Sequence, residues 1–214
     1  DDQHHATQYL IKHQDGLARR LSHKRDEQLA RRALQLAGEP QVVLDLPCGA
    51  GRFWPLLAQM PSREIIGADN SASMLEVASL AQPADVVKRV RRLQMSAFEI
   101  DLPDNSVDSV FCMRLLHHIG DASHRMALLR ELHRVSRDSV IISLWVDGNF
   151  KAWKRKRLER QRAAEADQYG YQNRFVLPAA TVEAEFKKAG FTVQDHLDFI
   201  PLYAMWRVYV LRKR

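Results

Sequence analysis

Two carboxylates and a glycine-rich turn are the residues of this chain best suited to bind a ligand. Asp45 ends one apolar run, and Asp69 ends a second run shortly afterwards. Gly49 and Gly51 follow the first acid, and glycines at such a place let the backbone turn sharply and approach a bound group. A carboxylate beside that turn can accept hydrogen bonds from both hydroxyls of a ribose.

The apolar runs before these acids predict two buried parallel strands, over residues 42–45 and 65–69. Neighbouring strands of an open α/β sheet end at the edge where such folds bind ligands, so we expect the two acids to lie close together. A dinucleotide-binding turn would carry a third glycine where Trp54 stands. We therefore expect a nucleoside ligand that has no pyrophosphate.

The motifs resemble those of the class I S-adenosylmethionine-dependent methyltransferases. The first motif is DLPCGAG at residues 45–51, with Pro47 in place of the usual first glycine, and the second is DNSASML at residues 69–75. The similarity covers residues 42–143 and resumes over residues 175–191. It implies an α/β fold with a doubly wound, seven-stranded, mostly parallel sheet, a last strand that runs antiparallel, and helices on both faces.

This resemblance also implies the cofactor, S-adenosyl-L-methionine, and the residues that bind it. Asp69 would hold the ribose hydroxyls, and Met74 would flank the adenine. Ser96 would accept a hydrogen bond from the adenine amino group, where many members have an aspartate. The expected cofactor-binding residues are Asp45, Pro47, Cys48, Gly49, Gly51, Asp69, Asn70, Met74, Ser96, Ala97, Phe98 and Met113.

The apolar run that begins at Ser109 predicts a fourth strand, and three residues in the turn beyond it are candidates to contact the methyl acceptor. His118 is the expected catalytic base, because a neutral imidazole can take a proton from a hydroxyl near pH 7. The alternative is that His118 only caps the turn. His117 and Arg114 are expected to bind substrate, although Arg114 can instead pair with a nearby carboxylate. We expect the two histidines to point in different directions, and we expect no metal site.

Composition favours one cytoplasmic enzyme domain over residues 1–214. The 214 residues are 46% hydrophobic, but no stretch is long and apolar enough to span a bilayer, and the start has no signal-peptide core. Cys48 and Cys112 are interpreted as reduced thiols packed in the core. A nucleophilic cysteine, as in pyrimidine-C5 methyltransferases, is rejected because the Pro-Cys pair follows the first strand rather than the fourth.

Two helical segments are expected to flank this fold. Residues 1–38 are predicted to form a cap of two helices, broken near Asp15 and Gly16, with the second from Asp26 to Ala37. Residues 148–175 are predicted to form a basic helical insertion over the acceptor site. This run has seven cations against one acid between residues 151 and 162, enough to account for the net charge of +6. Phe150 and Trp153 are interpreted as its anchors.

The charge of the insertion indicates an anionic acceptor, the alternative being a solvated helix face without a ligand. The favoured function is therefore methyl transfer to an oxygen or nitrogen atom of a small anionic molecule. Transfer to RNA or to a lipid-linked saccharide is the alternative, with nucleic acid less favoured as a partner. A catalytically silent, cofactor-binding partner protein is the third hypothesis. No oligomeric state is predicted.

Overall fold

A computed structural model describes residues 17–165 and 174–214, with side chains over residues 21–158 and 174–214. Within them one sheet contains the strands β1 (Val42–Asp45), β2 (Glu64–Asp69), β3 (Val90–Gln94), β4 (Val107–Cys112), β5 (Ser136–Trp145), β6 (Phe191–Asp198) and β7 (Trp206–Lys213). Their order is β3-β2-β1-β4-β5-β7-β6, and β7 runs antiparallel to both of its neighbours. The predicted fold is therefore confirmed.

Helices cover both faces of this sheet. They are α1 (Leu17–Leu36), α2 (Trp54–Leu57), α3 (Ala72–Ala81), α4 (Ala84–Val87), α5 (Ala122–Val135), α6 (Phe150–Glu165) and α7 (Ala179–Lys188), with a 3₁₀ turn at Leu116–His118. None of the helices within the described ranges combines the length and the apolar character needed to cross a bilayer.

The strands in the middle of the sheet send successive side chains to two separate cores. Val43 packs with α1 and α2 on one face, whereas Leu44 packs with α5 and α7 on the other. Phe111 and Val110 of β4 divide in the same way. Burial on both faces explains why these strands are continuous apolar runs rather than alternating ones.

The N-terminal helix differs from its prediction. The first predicted helix, up to Asp15, lies outside the described residues. The second begins by Leu17 rather than at Asp26, because the intervening Leu, Arg, Ser, His and Lys residues include no helix breaker and continue the apolar spacing. Its predicted stop is confirmed, since α1 ends at Leu36 and Gly38 follows with a φ of +83°.

A buried ion pair joins the two helices on one face. Arg125 of α5 donates two hydrogen bonds to the carboxylate of Glu185 on α7, from Nε at 2.9 Å and from a terminal nitrogen at 2.6 Å. The same guanidinium donates to the carbonyls of Ile119 and Gly120. Its charge is therefore fully engaged, and it fixes the chain just beyond the 3₁₀ turn.

The start of α6 is attached through its backbone and through two side chains. The N–H of Phe150 donates to the carbonyl of Leu202 at 2.9 Å, and Ala152 is fully buried. Phe150 is 51% exposed, but its ring stacks on that of Tyr203 at 5.8 Å, which supports its interpretation as an anchor. Trp153 is equally exposed, and its role as an anchor stays a prediction.

Candidate cofactor and acceptor site

The turn after β1 is tied to the end of β2. The N–H of Cys48 donates to the carbonyl of Ala68 at 2.8 Å, and the N–H of Gly49 donates to Asp69 Oδ2 at 2.9 Å. Gly49 and Gly51 have φ angles of +53° and +68°, which other residues rarely adopt. Asp69 and the glycine turn therefore form one unit at the sheet edge.

Asp69 is held by backbone amides on both of its oxygens. Oδ1 accepts from the N–H of Ser71 at 3.0 Å, and Oδ2 holds Gly49. A carboxylate oxygen can accept a second hydrogen bond, so a fixed orientation still leaves room for a hydroxyl donor. Met74 lies on the other side of the turn, with its methyl carbon 3.8 Å from where a Cβ at Gly49 would stand.

Asp45 lies deeper than Asp69. Its side chain is 1% exposed against 8% for Asp69, and its Oδ2 has no hydrogen-bond partner among the described residues. Burial, and then the charge of Asp69, raise the pKa of the Asp45 carboxyl well above its usual range. Asp69 is thus the more accessible acid, and direct contact between Asp45 and a ligand stays a prediction.

The two cysteines near these acids are buried. Burial, followed by the charges of Asp45 and Asp69, raises the pKa of the Cys48 thiol. Burial and the charge of Asp45 also raise the pKa of the Cys112 thiol. Because a thiolate is the nucleophilic form, neither residue is suited to nucleophilic chemistry.

Trp54 fits at the third-glycine position because two glycines leave space for its ring. A Cβ added at Gly51 would lie 2.7 Å from an indole carbon, and one added at Gly67 of β2 would lie 2.6 Å from another. The indole is fully buried between the turn and the sheet. The bulky side chain that departs from a dinucleotide motif is therefore part of the core.

The residues predicted beyond β2 and β3 reach the same edge of the sheet. The Met95 N–H donates to the carbonyl of Asp69 at 3.1 Å, which places residues 96–98 next to the acid. Ser96 Oγ accepts from the N–H of Phe98 at 3.1 Å, and Phe98 is exposed. Ala97 is buried, and Asn70 is exposed. Binding of adenine by Ser96 stays a prediction.

Arg114 pairs with a carboxylate, which is the alternative that the sequence offered for it, although the partner was not predicted. Its guanidinium and that of Arg52, which lies in the turn after β1, both bind Oδ2 of Asp26 on α1. Asp26 is buried. Arg114 has a φ of +66°, and its N–H donates to Ser143 Oγ at 2.8 Å, just beyond the buried Met113. The helix α1 is thereby joined to two loops of the site.

The two histidines lie next to each other in the 3₁₀ turn. His117 is buried and His118 is exposed, but their rings are 4.0 Å apart between centroids. The expectation that they point in different directions is wrong, because the chain turns here instead of continuing as a strand. Burial lowers the pKa of His117 to about 3, and the charges of His118 and nearby arginines act in the same direction. His117 is therefore neutral at physiological pH and a weak base.

An aromatic and cationic cluster surrounds His117. Its ring stacks on Trp145 at 4.9 Å and meets the edge of Trp206 at 4.7 Å. Guanidinium carbons lie over the same indoles, 5.0 Å from Trp145 for Arg155 and 4.9 Å from Trp206 for Arg114. We call this set the arginine–tryptophan cluster: Arg114, His117, Trp145, Arg155, Arg174 and Trp206, with Arg174 at 5.7 Å from Trp145.

Three members of this cluster, Trp145, Arg174 and Trp206, were not predicted as site residues. Trp145 ends the fifth strand and Trp206 begins the last one, so their position at strand ends indicates a place near the site. The stacking holds the arginines against the indole rings. Binding of an acceptor by this cluster stays a prediction.

Comparisons with known proteins agree with this geometry. Residues 43–139 match a family model described as "Methyltransferase domain". The uncharacterized methyltransferase YcgJ of Bacillus subtilis is 39% identical over 94 residues, which cover 44% of this chain and 35% of that protein. A tRNA U34 carboxymethyltransferase of Shewanella sediminis is 28% identical over 155 residues, covering 71% and 44%. The chain thus spans less than half the length of these two relatives.

A solved structure shares the fold over nearly the whole chain. Magnesium protoporphyrin IX methyltransferase from Synechocystis PCC 6803, solved with bound SAH, superposes with a TM-score of 0.73 at 16% identity. The match covers 94% of this chain and 89% of that one. At this identity the likeness concerns the fold.

Proposed function

Because the chain belongs to the class I S-adenosylmethionine-dependent methyltransferases, we propose that it transfers a methyl group to a small anionic acceptor at oxygen or nitrogen. Its cofactor, S-adenosyl-L-methionine, supplies an activated methyl group on a sulfonium. The observation that carries the proposal for the acceptor is the arginine–tryptophan cluster. Three of its members are arginines, and it lies beyond β4 and at the end of β5.

The glycine turn and Asp69 fit an adenosine-bearing cofactor. Asp69 keeps acceptor capacity for ribose hydroxyls, while the amides of Gly49 and Ser71 hold it in place. Met74 beside Gly49 offers an apolar contact for the adenine, and Ser96 lies at the next strand end. The Asp45 carboxyl lies at the end of β1, directly before the turn, and would support it from the buried side.

The arginine–tryptophan cluster would orient the acceptor. Arg114 is already paired with Asp26, so the guanidinium groups of Arg155 and Arg174 would be the donors to a carboxylate or phosphate. The indole faces would cover an apolar or planar portion of the acceptor. Neutral His117 adds a ring nitrogen, Nδ1, that has no hydrogen-bond partner among the described residues. Positioning of this kind is the main contribution that a methyltransferase can make to in-line transfer.

His118 is the proposed general base. It is exposed, and it lies beside His117 in the 3₁₀ turn that follows β4. An acceptor hydroxyl must lose its proton, and an accessible imidazole can take it. An acceptor that reacts as a neutral amine would depend on His118 far less.

We further propose that residues 1–214 act as one domain with two covers. The helix α1 would close over the cofactor, through Asp26 and its two arginine partners. The helix α6 would cover the acceptor, since it carries Arg155 over Trp145. We place this activity in the cytoplasm, where Cys48 and Cys112 would stay reduced.

Transfer of a radioactive methyl group tests the proposal. The protein would be incubated with labelled S-adenosylmethionine and a metabolite extract that has been separated by anion exchange. We expect the label in small molecules that the anion-exchange resin retains. Arg155→Gln should reduce the transfer roughly tenfold, as expected for loss of one charge-assisted hydrogen bond. Arg157→Gln is the matched control, because Arg157 lies on the same helix but over Trp153.

The outcome also separates the alternatives. Label in neutral metabolites only, or equal effects of the two arginine variants, would contradict an anionic acceptor. In a parallel reaction with bulk tRNA, label in the RNA would favour the RNA hypothesis, which the similarity to a tRNA U34 carboxymethyltransferase supports. Cofactor binding without transfer to any fraction would favour the silent partner protein.

A further inference from the structure

A group of exposed apolar side chains lies on one surface of the molecule. They come from the start of α6 and from the connection between β6 and β7. Leu202 is the most prominent, at 84% exposure, and the others are between 44% and 51% exposed. We call this surface the docking face: Phe150, Trp153, Ile200, Leu202 and Tyr203.

The docking face is held rigidly. The N–H groups of Phe150 and Lys151 donate to the carbonyls of Leu202 and Tyr203, at 2.9 and 3.0 Å. The rings of Phe150 and Tyr203 stack at 5.8 Å with an angle of 11° between their planes. Leu202 has a φ of +60°, an unfavourable conformation for a bulky residue. The fold therefore maintains backbone strain at the residue that protrudes furthest.

The charge around this face is strongly positive. Residues 148–158 contain five cations and no acid, and residues 199–206 contain no acid. The acids that flank these segments, Asp147 and Asp198, are paired with Lys156 and Arg207. Three exposed cations border the apolar residues: Lys151 over the Tyr203 ring, Arg157 over the Trp153 ring, and Lys154.

We propose that the docking face binds the surface of an anionic phospholipid bilayer. Aromatic rings bordered by lysine and arginine suit the interface between acyl chains and headgroups, where the rings enter and the cations reach phosphate. Charge complementarity gives the preference for anionic lipid. A single-stranded nucleic acid suits this face less well, because Ile200 and Leu202 have no aromatic face on which a base can stack.

This inference goes beyond the proposed methyl transfer and does not depend on it. The helix α6 carries the docking face and also Arg155 of the arginine–tryptophan cluster. Binding through this face would therefore bring the acceptor site close to the lipid surface.

Vesicle sedimentation tests the proposal. The full chain would be mixed with vesicles of neutral phosphatidylcholine, or with vesicles in which about a third of the lipid is phosphatidylglycerol. We expect binding to the anionic vesicles, with weak binding to the neutral ones and weaker binding at high salt. Leu202→Ser should reduce the affinity for vesicles about tenfold, because the leucine side chain that would enter the bilayer is lost. Replacing Lys151 and Lys154 with glutamine should reduce it about thirtyfold.

Two matched variants control for general effects of apolarity and charge. Leu80→Ser removes a leucine that is 85% exposed on α3, and replacing Lys187 and Lys188 with glutamine removes two exposed charges from α7. Neither variant should change binding. Vesicles should also shift the tryptophan fluorescence to shorter wavelength, and Trp153→Phe should lose most of that shift while still sedimenting.

Several results would overturn the proposal. One is failure of the wild-type chain to sediment with anionic vesicles. Another is an equal loss in the test and control variants. A third is micromolar binding of a single-stranded oligonucleotide that depends on Trp153 but not on Leu202, which would assign the face to nucleic acid.

Discussion

Replacement of Asp26 by asparagine should destabilise the protein more than any change of a surface acid. The side chain of Asp26 is buried, and its Oδ2 binds Arg52 and Arg114, whose side chains are 24% and 35% exposed. A hydrogen bond to a charged group contributes about 1.5–3 kcal/mol, and partial exposure of both arginines favours the lower end. Allowing for solvent to replace part of each bond, we expect a loss of about 2–3 kcal/mol in the free energy of unfolding.

Urea denaturation and thermal melting measure this effect. For a chain of this size the expected fall in Tm is about 5–10 °C. Glu27→Gln is the matched control, because Glu27 is the next residue of α1, is partly exposed and pairs only with His23 among the described residues. It should cost less than about 0.5 kcal/mol.

A double-mutant cycle shows whether the Asp26–Arg114 contact is the cause. Asp26→Asn and Arg114→Gln should be non-additive, with a coupling free energy of about 1 kcal/mol or more. Strict additivity would refute the reasoning, as would a loss for Asp26→Asn no larger than for Glu27→Gln. Either result would mean that the two loops of the site are not held by α1.

Three further changes test the packing and charge of the core. Gly51→Ala should lower the free energy of unfolding by about 2–4 kcal/mol, because the new methyl group would meet the Trp54 ring and the backbone φ is left-handed. A loss below about 0.5 kcal/mol in urea denaturation would contradict this. Glu185→Gln should cost about 3 kcal/mol by leaving the buried Arg125 charge poorly compensated, and an unchanged Tm would count against it. His117 has a folded pKa of about 3, below its unfolded value, so its contribution to stability is complete above pH 6.5 and is lost as pH falls towards 3. Between pH 7 and 5 the wild type should lose about 2 kcal/mol more than His117→Phe, and parallel pH profiles of the two proteins would refute this.

The strands of the sheet could be predicted because each one is recognisable from a short stretch of sequence. The apolar runs, the acids that end them and the glycine turn all lie within short segments, and β1 and β2 form as the pattern indicates. Asp69 and Gly49 come together for the same reason, since neighbouring parallel strands end at one edge. The start of α1 was misplaced because Asp26 was taken as the first residue, although the break at Asp15 and Gly16 stands directly before Leu17.

Contacts between distant segments could not be predicted from spacing. Asp26 meets Arg114 across 88 positions of the chain, and nothing local to either residue indicates its partner. The contacts of His117 with Trp145 and Trp206 likewise depend on which strands are neighbours. The half-exposed positions of Phe150 and Trp153 could not be predicted either, because an apolar pair at helical spacing does not reveal how much of each side chain faces solvent.

Titration calorimetry with S-adenosylmethionine tests the central claim most directly, that Asp69 and the glycine turn hold the cofactor. The wild-type chain should bind with a Kd in the micromolar range, about −8 kcal/mol, and Asp69→Ala should bind without measurable heat while circular dichroism confirms that it is folded. Asp69→Asn keeps one carbonyl acceptor and should bind more weakly than the wild type, whereas Asp101→Ala, an exposed acid, should not differ. Absence of heat with the wild-type chain, or equal affinity for a folded Asp69→Ala variant, would contradict the account.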